Sequence, residues 1–317
     1  MSLSRFKALP VLDKSFPLPI DRPFHRHQAL REGVPRGWLT ALVESGHLRR
    51  PLRGVYVSAA VHDDVALRIA SLRLVVPDDL VVCDRHAGWL HGAEMVLRPG
   101  EDVAARPIRL FRLPGGRALG RPEVSGGQRS LLATDVVDVG GLLVTTPLRT
   151  AADLGRSRSR REALAGIDSM LRVGVLRDEL VAETDRFAGE RWVRTLRDVV
   201  PLADPRSASP GESAVKLAWW DETGALPDLQ IELTGSRGGR VFLDLGSRAL
   251  RFAVEYDGAE WHSTPEQRDH DAARRRHVLR VHGYEVIAVR KADVYGEDAD
   301  VRTLIRAGLQ RARRRAA

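Results

Sequence analysis

Two short apolar runs toward the C-terminal end each carry one carboxylate. Asp244 lies in Val241-Phe242-Leu243-Asp244-Leu245, and Glu255 follows Phe252-Ala253-Val254. A charge in such a run is costly unless it is paired or binds a metal. The fold must therefore bring a cation to these strands. The connecting Gly246-Ser247-Arg248-Ala249-Leu250 is short enough for a hairpin, which sets Asp244 and Glu255 on one face. Asp257, two residues beyond Glu255, points the same way. Converging carboxylates repel one another, and oxygen donors select Mg²⁺ or Mn²⁺. Such an ion can polarise a phosphodiester and activate a water. The plainer alternative pairs each acid with a neighbouring arginine; three acids on adjacent strands favour the metal.

The surrounding block, residues 205–317, follows a Pro/Ser/Gly-rich linker, Asp204-Pro205-Arg206-Ser207-Ala208-Ser209-Pro210-Gly211. Its pattern predicts a helix over 212–222, then strands near 229–233, 240–245 and 251–256. A long helix over 265–282, a strand over 285–289 and a terminal helix over 300–315 complete it. In the middle block, 76–204, strands are expected at 80–83, 108–111 and 141–144. Thr146 caps a helix before Pro147, and apolar residues at helical spacing run over 163–171. His86 and His91 are five apart, not the four that stack ligands on one helix face, and Cys83 reads as a small core hydrophobe. No catalytic constellation is visible there.

The first block, residues 1–75, reads as a helix over 24–31 ended by Gly33. A second helix opens at Pro35, turns Trp38, Leu39, Leu42 and Val43 inward and stops near Gly46. Two extended runs over 48–57 meet around Pro51-Leu52-Arg53-Gly54. Helix, turn, helix and wing make a winged helix-turn-helix, whose second helix enters the major groove. Arg36, Thr40 and Glu44 lie on the exposed side of that helix; Arg49, Arg50 and Arg53 sit on the wing and suit DNA phosphates. Fifty Lys+Arg against 42 Asp+Glu give +8, and the only lysines are Lys7, Lys14, Lys216 and Lys291. An arginine-rich, net-positive chain fits a polyanion partner. Its apolar runs fall far short of the ~20 residues of a membrane span. No signal-peptide stretch occupies the first residues, and a single cysteine allows no internal disulfide, so a cytoplasmic protein is expected.

Phe242-Leu243-Asp244, then Val254-Glu255-Tyr256-Asp257-Gly258, then His262 resembles the very-short-patch-repair-like members of the PD-(D/E)XK endonuclease superfamily. The likeness continues through Arg268, Asp269, Asp271, Arg274 and Gly283-Tyr284-Glu285-Val286. Upstream, Gly211-Glu212-Ser213 and Lys216 look like that family's first core helix. Gly54-Val55-Tyr56 is similar to the N-terminal domain of AbiEi-type antitoxins and regulators. The stretches from Asp84 to Gly92 and from Thr146 to Leu154 resemble the region that follows it there. These likenesses imply a multi-domain α/β (α+β) chain. Its expected parts are an N-terminal winged helix, a mixed α+β middle region and a restriction-endonuclease-like αβββαβ core. They imply Mg²⁺- or Mn²⁺-dependent hydrolysis of DNA, the metal carried by Asp244 and Glu255 with help from Glu212, and His262 beside the scissile phosphate. Asp257 stands where the motif's lysine is usual, so the missing positive charge falls to Lys216, His262 or Arg268. The alternative is a non-catalytic regulator or antitoxin that keeps a nuclease fold as a DNA clamp. A glycosidase with two acids is disfavoured, because aromatics are only 5% of the chain and those of the third block read as core, leaving few to line a sugar cleft. DNA is the expected partner, with no membrane and with homodimerisation left open.

Overall fold

The computed structural model describes residues 2–98, 101, 103, 106–112, 124–125, 129–236, 238–258, 265–297 and 299–316. For 124–125 and 265–271 it describes the backbone alone. The chain is mixed α+β and divides into two units, 1–96 with 101–153 and 97–100 with 154–317. No helix among the described residues is long and apolar enough to cross a membrane.

The first unit begins with α1 (Leu3–Lys7), β1 (Phe24–His25), α2 (Arg26–Arg31), α3 (Arg36–Glu44), β2 (Leu48–Leu52), β3 (Val55–Ser58) and α4 (Val65–Arg73). The helix expected from residue 24 starts two residues later, because Phe24 and His25 pair as a strand with Tyr56 and Val55. Burial drives the difference: the Phe24 ring stacks on Tyr56 with centroids 6.1 Å apart. The Arg26 N–H donates to the Gly54 carbonyl at 2.8 Å, and His25 Nδ1 then accepts from the His27 N–H at 3.3 Å as the helix cap. Gly33 ends α2 as expected, at φ +75°, with the Val34 N–H reaching back to the Ala29 carbonyl at 2.9 Å. Leu39 and Leu42 of α3 are buried among Phe6, Phe16 and Phe24, and Trp38 and Val43 pack at the margin. The strands lie in the order β1-β3-β2. Pro51, which has no N–H to give a ladder, falls where the β2–β3 register shifts between Arg49 and Leu52.

The same unit continues through β4 (Val81–Val82), α5 (Asp84–Leu90), β5 (Ile108–Phe111), β6 (Val124–Ser125), β7 (Val136–Val139), β8 (Leu142–Thr145) and α6 (Pro147–Gly155), the last helix running past the boundary. Its five strands take the order β6-β5-β4-β8-β7. Val81, Val82 and Cys83 are fully buried, as a central strand with both faces covered requires.

In the second unit come α7 (Arg160–Arg172), α8 (Arg177–Glu183), α9 (Val193–Val199) and α10 (Pro210–Thr223). They are followed by β9 (Asp228–Thr234), β10 (Arg240–Ser247), β11 (Phe252–Asp257), α11 (Pro265–His282), β12 (Glu285–Arg290), α12 (Lys291–Tyr295) and α13 (Val301–Ala316). The sheet order is β12-β11-β10-β9. The first three strands form an antiparallel meander, and α11 carries the chain over to a β12 parallel to β11. Ser209 caps α10 by accepting from the Glu212 N–H at 3.1 Å, with Pro210 at the first turn. One core joins α10 and α13 to the sheet around Trp219, Phe252, Leu245 and Ile305.

Gly308 of α13 lies against the Phe252 ring, where an added Cβ would sit 2.2 Å from a ring carbon. Phe252 is fully buried and stacks on Trp219, so the ring has little room to yield. Gly308→Ala gains about 1 kcal/mol of helix propensity against an overpacking cost of about 1–3 kcal/mol. The expected outcome is a lower melting temperature; an unchanged or higher one would contradict this packing.

Candidate functional site

The carboxylates meet where β10 changes face. Leu243 packs with Ile231, Ala253, Val278 and Tyr284, whereas Leu245 packs with Leu229, Phe252 and Val254. Residues two apart on a regular strand share a face, so β10 turns over at Asp244. The register brackets Asp244 between Leu243↔Ile231 and Leu245↔Leu229, which puts Gln230 opposite it on β9. Gln230 holds φ +48°, a left-handed backbone that marks a local kink of the bulge kind. On the other side, Leu245↔Val254 places Glu255 next in line on β11.

Each acid has a partner within the protein. Asp244 Oδ2 accepts from the Tyr256 N–H at 2.8 Å. Glu212 Oε2 accepts from the Ala208 N–H at 2.9 Å and from Gln230 Nε2 at 3.2 Å. Glu255 is buried at 7% exposure, and Arg274 Nη2 of α11 lies 2.8 and 2.7 Å from its two oxygens. Arg275 Nε stands 3.6 Å from Glu255 Oε2. Burial first, then the charge of Glu212, pushes the Asp244 carboxyl up to about 7; Glu255 adds to the rise, and the Tyr256 N–H and Arg274 oppose it. The charges of Glu212 and Glu255 thus both act on Asp244. The donor set, however, is already engaged. The bisector of the Glu255 carboxylate holds a guanidinium nitrogen, and no set of three or more His, Cys, Asp or Glu among the described residues is arranged to hold a metal. Mg²⁺ or Mn²⁺ does not fit this arrangement, which is the arginine-paired alternative realised at Glu255.

Lys216 does not join the group. Its Nζ lies 2.8 Å from Asp168 Oδ2 of α7, in a pair with side chains 1% and 0% exposed, and Ser213 Oγ donates to the same oxygen at 2.6 Å. Sequence spacing puts Lys216 one turn beyond Glu212, yet its long stem turns toward a buried acid on another helix. Asp257 ends β11, opposite Arg290 of β12. His262 lies outside the described residues, as does the side chain of Arg268. Arg36 and Thr40 are exposed on α3, and Arg50 and Arg53 are exposed on the hairpin. Arg49 is half-buried and donates to the Val61 carbonyl, so it braces the hairpin.

Gln230 was not legible as a site residue, because a glutamine in a polar strand carries no distinctive signal; Arg274 was picked out only as part of the endonuclease likeness, with no partner assigned to it. A second charged cluster in the first unit also escaped notice. Arg149 Nη1 reaches Asp135 Oδ2 at 2.7 Å and its Nε reaches Asp153 Oδ1 at 3.1 Å. Arg129 Nη1 bridges Asp153 at 2.9 Å and Asp84 at 2.6 Å, with its guanidinium over the Phe111 ring. The i,i+4 spacing of Arg149 and Asp153 was the available signal. These pairings brace α6 against α5 and against the turn that precedes β7.

Asp244 yields a pH prediction. Its folded value near 7 stands above an unfolded value of about 3.9. Between those values the native state keeps a proton that the unfolded chain releases, so stability falls as pH rises through the window. Asp244→Asn should match wild type at pH ~3.5 and exceed it at pH ~8 by about 1–2 kcal/mol, discounted for partial exposure. Urea melts at the two pH values check this; a variant less stable at the higher pH would contradict it.

Comparison with known proteins adds a family. Residues 80–202 match the family described as AbiEi antitoxin C-terminal domain. Two Mycobacterium tuberculosis proteins, both uncharacterized, MT2308 of strain CDC 1551 / Oshkosh and Rv2248 of strain ATCC 25618 / H37Rv, are similar over most of the chain. Each is 30% identical over 281 residues, spanning 88% of this chain and 99% of the relative. This chain belongs to the same family as those two mycobacterial proteins, with an AbiEi antitoxin-like region within it.

Proposed function

We propose that this chain is a cytoplasmic DNA-binding regulator of the antitoxin type. On this reading residues 1–75 form a winged helix that meets DNA, with α3 in the major groove and the β2–β3 hairpin as its wing. Residues 76–204 form the AbiEi-like region, and 205–317 keep an endonuclease-like core that does not cut. The observation that carries it is the array of exposed arginines, Arg36 on α3 and Arg50 and Arg53 on the hairpin, beside a region similar to an antitoxin domain. Helix, wing and basic charge in one short segment are the features of a duplex-binding surface.

Arg50→Ala with Arg53→Ala should weaken duplex binding alike for all sequences. It should also flatten the plot of log affinity against log salt by about one unit per arginine. Arg49→Ala should instead lower stability, through its lost bond to the Val61 carbonyl. An unchanged salt slope in the double variant would assign the hairpin a purely structural role.

A second reading, Mg²⁺- or Mn²⁺-dependent cleavage at Asp244, Glu255 and Glu212, is favoured by one observation: the mutual crowding that raises Asp244. It requires Arg274 to leave Glu255 first. Incubation of the full chain with supercoiled plasmid and either ion separates the two. The regulator leaves the plasmid intact, and nicking abolished by Asp244→Asn would establish the nuclease.

A further inference from the structure

We infer that the groove between α11 and the β9–β10 hairpin is a docking site for an acidic peptide segment of another protein, one that inserts a bulky apolar side chain flanked by carboxylates. The groove lies wholly within the second unit, and the inference is independent of DNA binding by the first.

The groove encloses about 790 Å³, and its lining carries no acid among the described residues. The β9–β10 ladder ends at Thr234 and Arg240. His277 Nε2 and His282 Nε2 donate to the Thr234 carbonyl at 3.3 and 2.7 Å, which fixes α11 against the hairpin. Arg276, His277 and Arg280 stand three and four residues apart, so they share one face of the helix, while Val278 turns into the core. Leu279, 50% exposed, and Val241 give the groove its apolar surface. Arg274 borders it too but is committed to Glu255. Arg276 and Arg280 are exposed and have no hydrogen bond or ion pair among the described residues. Arg240 stands 3.6 Å from Glu232 with its side chain 74% exposed, a surface pair worth little.

Three arginines around an apolar surface fix the chemistry of the occupant. Carboxylates complement the rim, and a bulky side chain seated between them takes Leu279 and Val241 out of water. Large apolar side chains and arginine are what the cores of protein interfaces are enriched in. A single-stranded nucleic acid would stack its bases on aromatic rings, and the described lining has none. Duplex phosphates would engage the arginines and leave Leu279 in water. Copies of this chain, each at +8, repel one another.

The test titrates the full chain into a fluorescein-labelled peptide, Glu-Asp-Leu-Phe-Asp-Glu, and follows its anisotropy. Parallel arms use the same peptide with Ser in place of Leu and Phe, and a labelled oligothymidylate. The acidic–apolar peptide should bind saturably and more tightly than either. Arg276→Glu/Arg280→Glu should weaken it about tenfold or more, with a smaller loss in Arg276→Gln/Arg280→Gln. Leu279→Ser should weaken it about threefold through lost apolar contact, and should leave the Ser peptide unaffected. Arg313→Glu/Arg314→Glu, the same charge change on α13, should leave binding nearly unchanged. Absence of saturable binding would overturn the inference, as would binding that survives Arg276→Glu/Arg280→Glu. Equal affinity for the two peptides would reduce the groove to a general cationic surface and overturn it too. Tighter binding of oligothymidylate, lost in Arg276→Glu/Arg280→Glu, would assign the groove to nucleic acid instead.

Discussion

Glu255 sits at 7% exposure on a strand whose preceding residues are fully buried apolar side chains. An uncompensated charge there would cost several kcal/mol. Arg274 meets it from α11, the helix that carries the chain from β11 to β12. The ion pair therefore does more than neutralise an acid: it ties the crossover helix to the sheet it spans, and with it the parallel strand that follows. Elsewhere in the same unit, Asp168 and Lys216 solve the same problem by pinning α7 to α10. Two buried acids, each answered by a cation on a different element, tie α11 to β11 and α10 to α7.

Much of this unit was legible in advance. Apolar runs located the strands of the sheet, whereas Ser209, Pro210 and Gly211 read as linker with the helix starting at Glu212; in the structure Ser209 caps α10, which begins at Pro210. The acids Asp244 and Glu255 stood out because apolar runs do not carry charge without a reason. What alternation hides is a strand that turns over. Leu243 and Leu245 look like neighbours on one face, yet they belong to different cores, and the kink at Gln230 that accompanies the turn leaves no mark in composition. Partners of buried charges were equally hidden. Lys216 follows Glu212 by one helical turn, so local spacing suggested that it serves the carboxylates, while the tertiary fold gave it to Asp168. Phe24 has the same moral in the first unit: local pattern reads helix, and stacking on Tyr56 draws it into a strand.

The carboxylate group and the surface of α3 with its hairpin answer charge differently, and that contrast supports the proposed division of labour. At the carboxylate group, acids and arginines satisfy one another. On α3 and its hairpin, Arg36, Arg50 and Arg53 remain exposed to solvent, and Arg49 is spent on the Val61 carbonyl. Exposed arginines on a helix and the hairpin that follows it are available to a polyanion; arginines locked to Glu255 are not.

Hydrogen–deuterium exchange of the full chain, with and without duplex DNA at low salt, tests the assignment of the DNA-binding surface most directly. The account predicts added protection in α3 and across the hairpin from Leu48 to Ser58, with the amides of β10 and β11 unchanged. Protection confined to the C-terminal unit, with α3 and the hairpin unaffected, would contradict it.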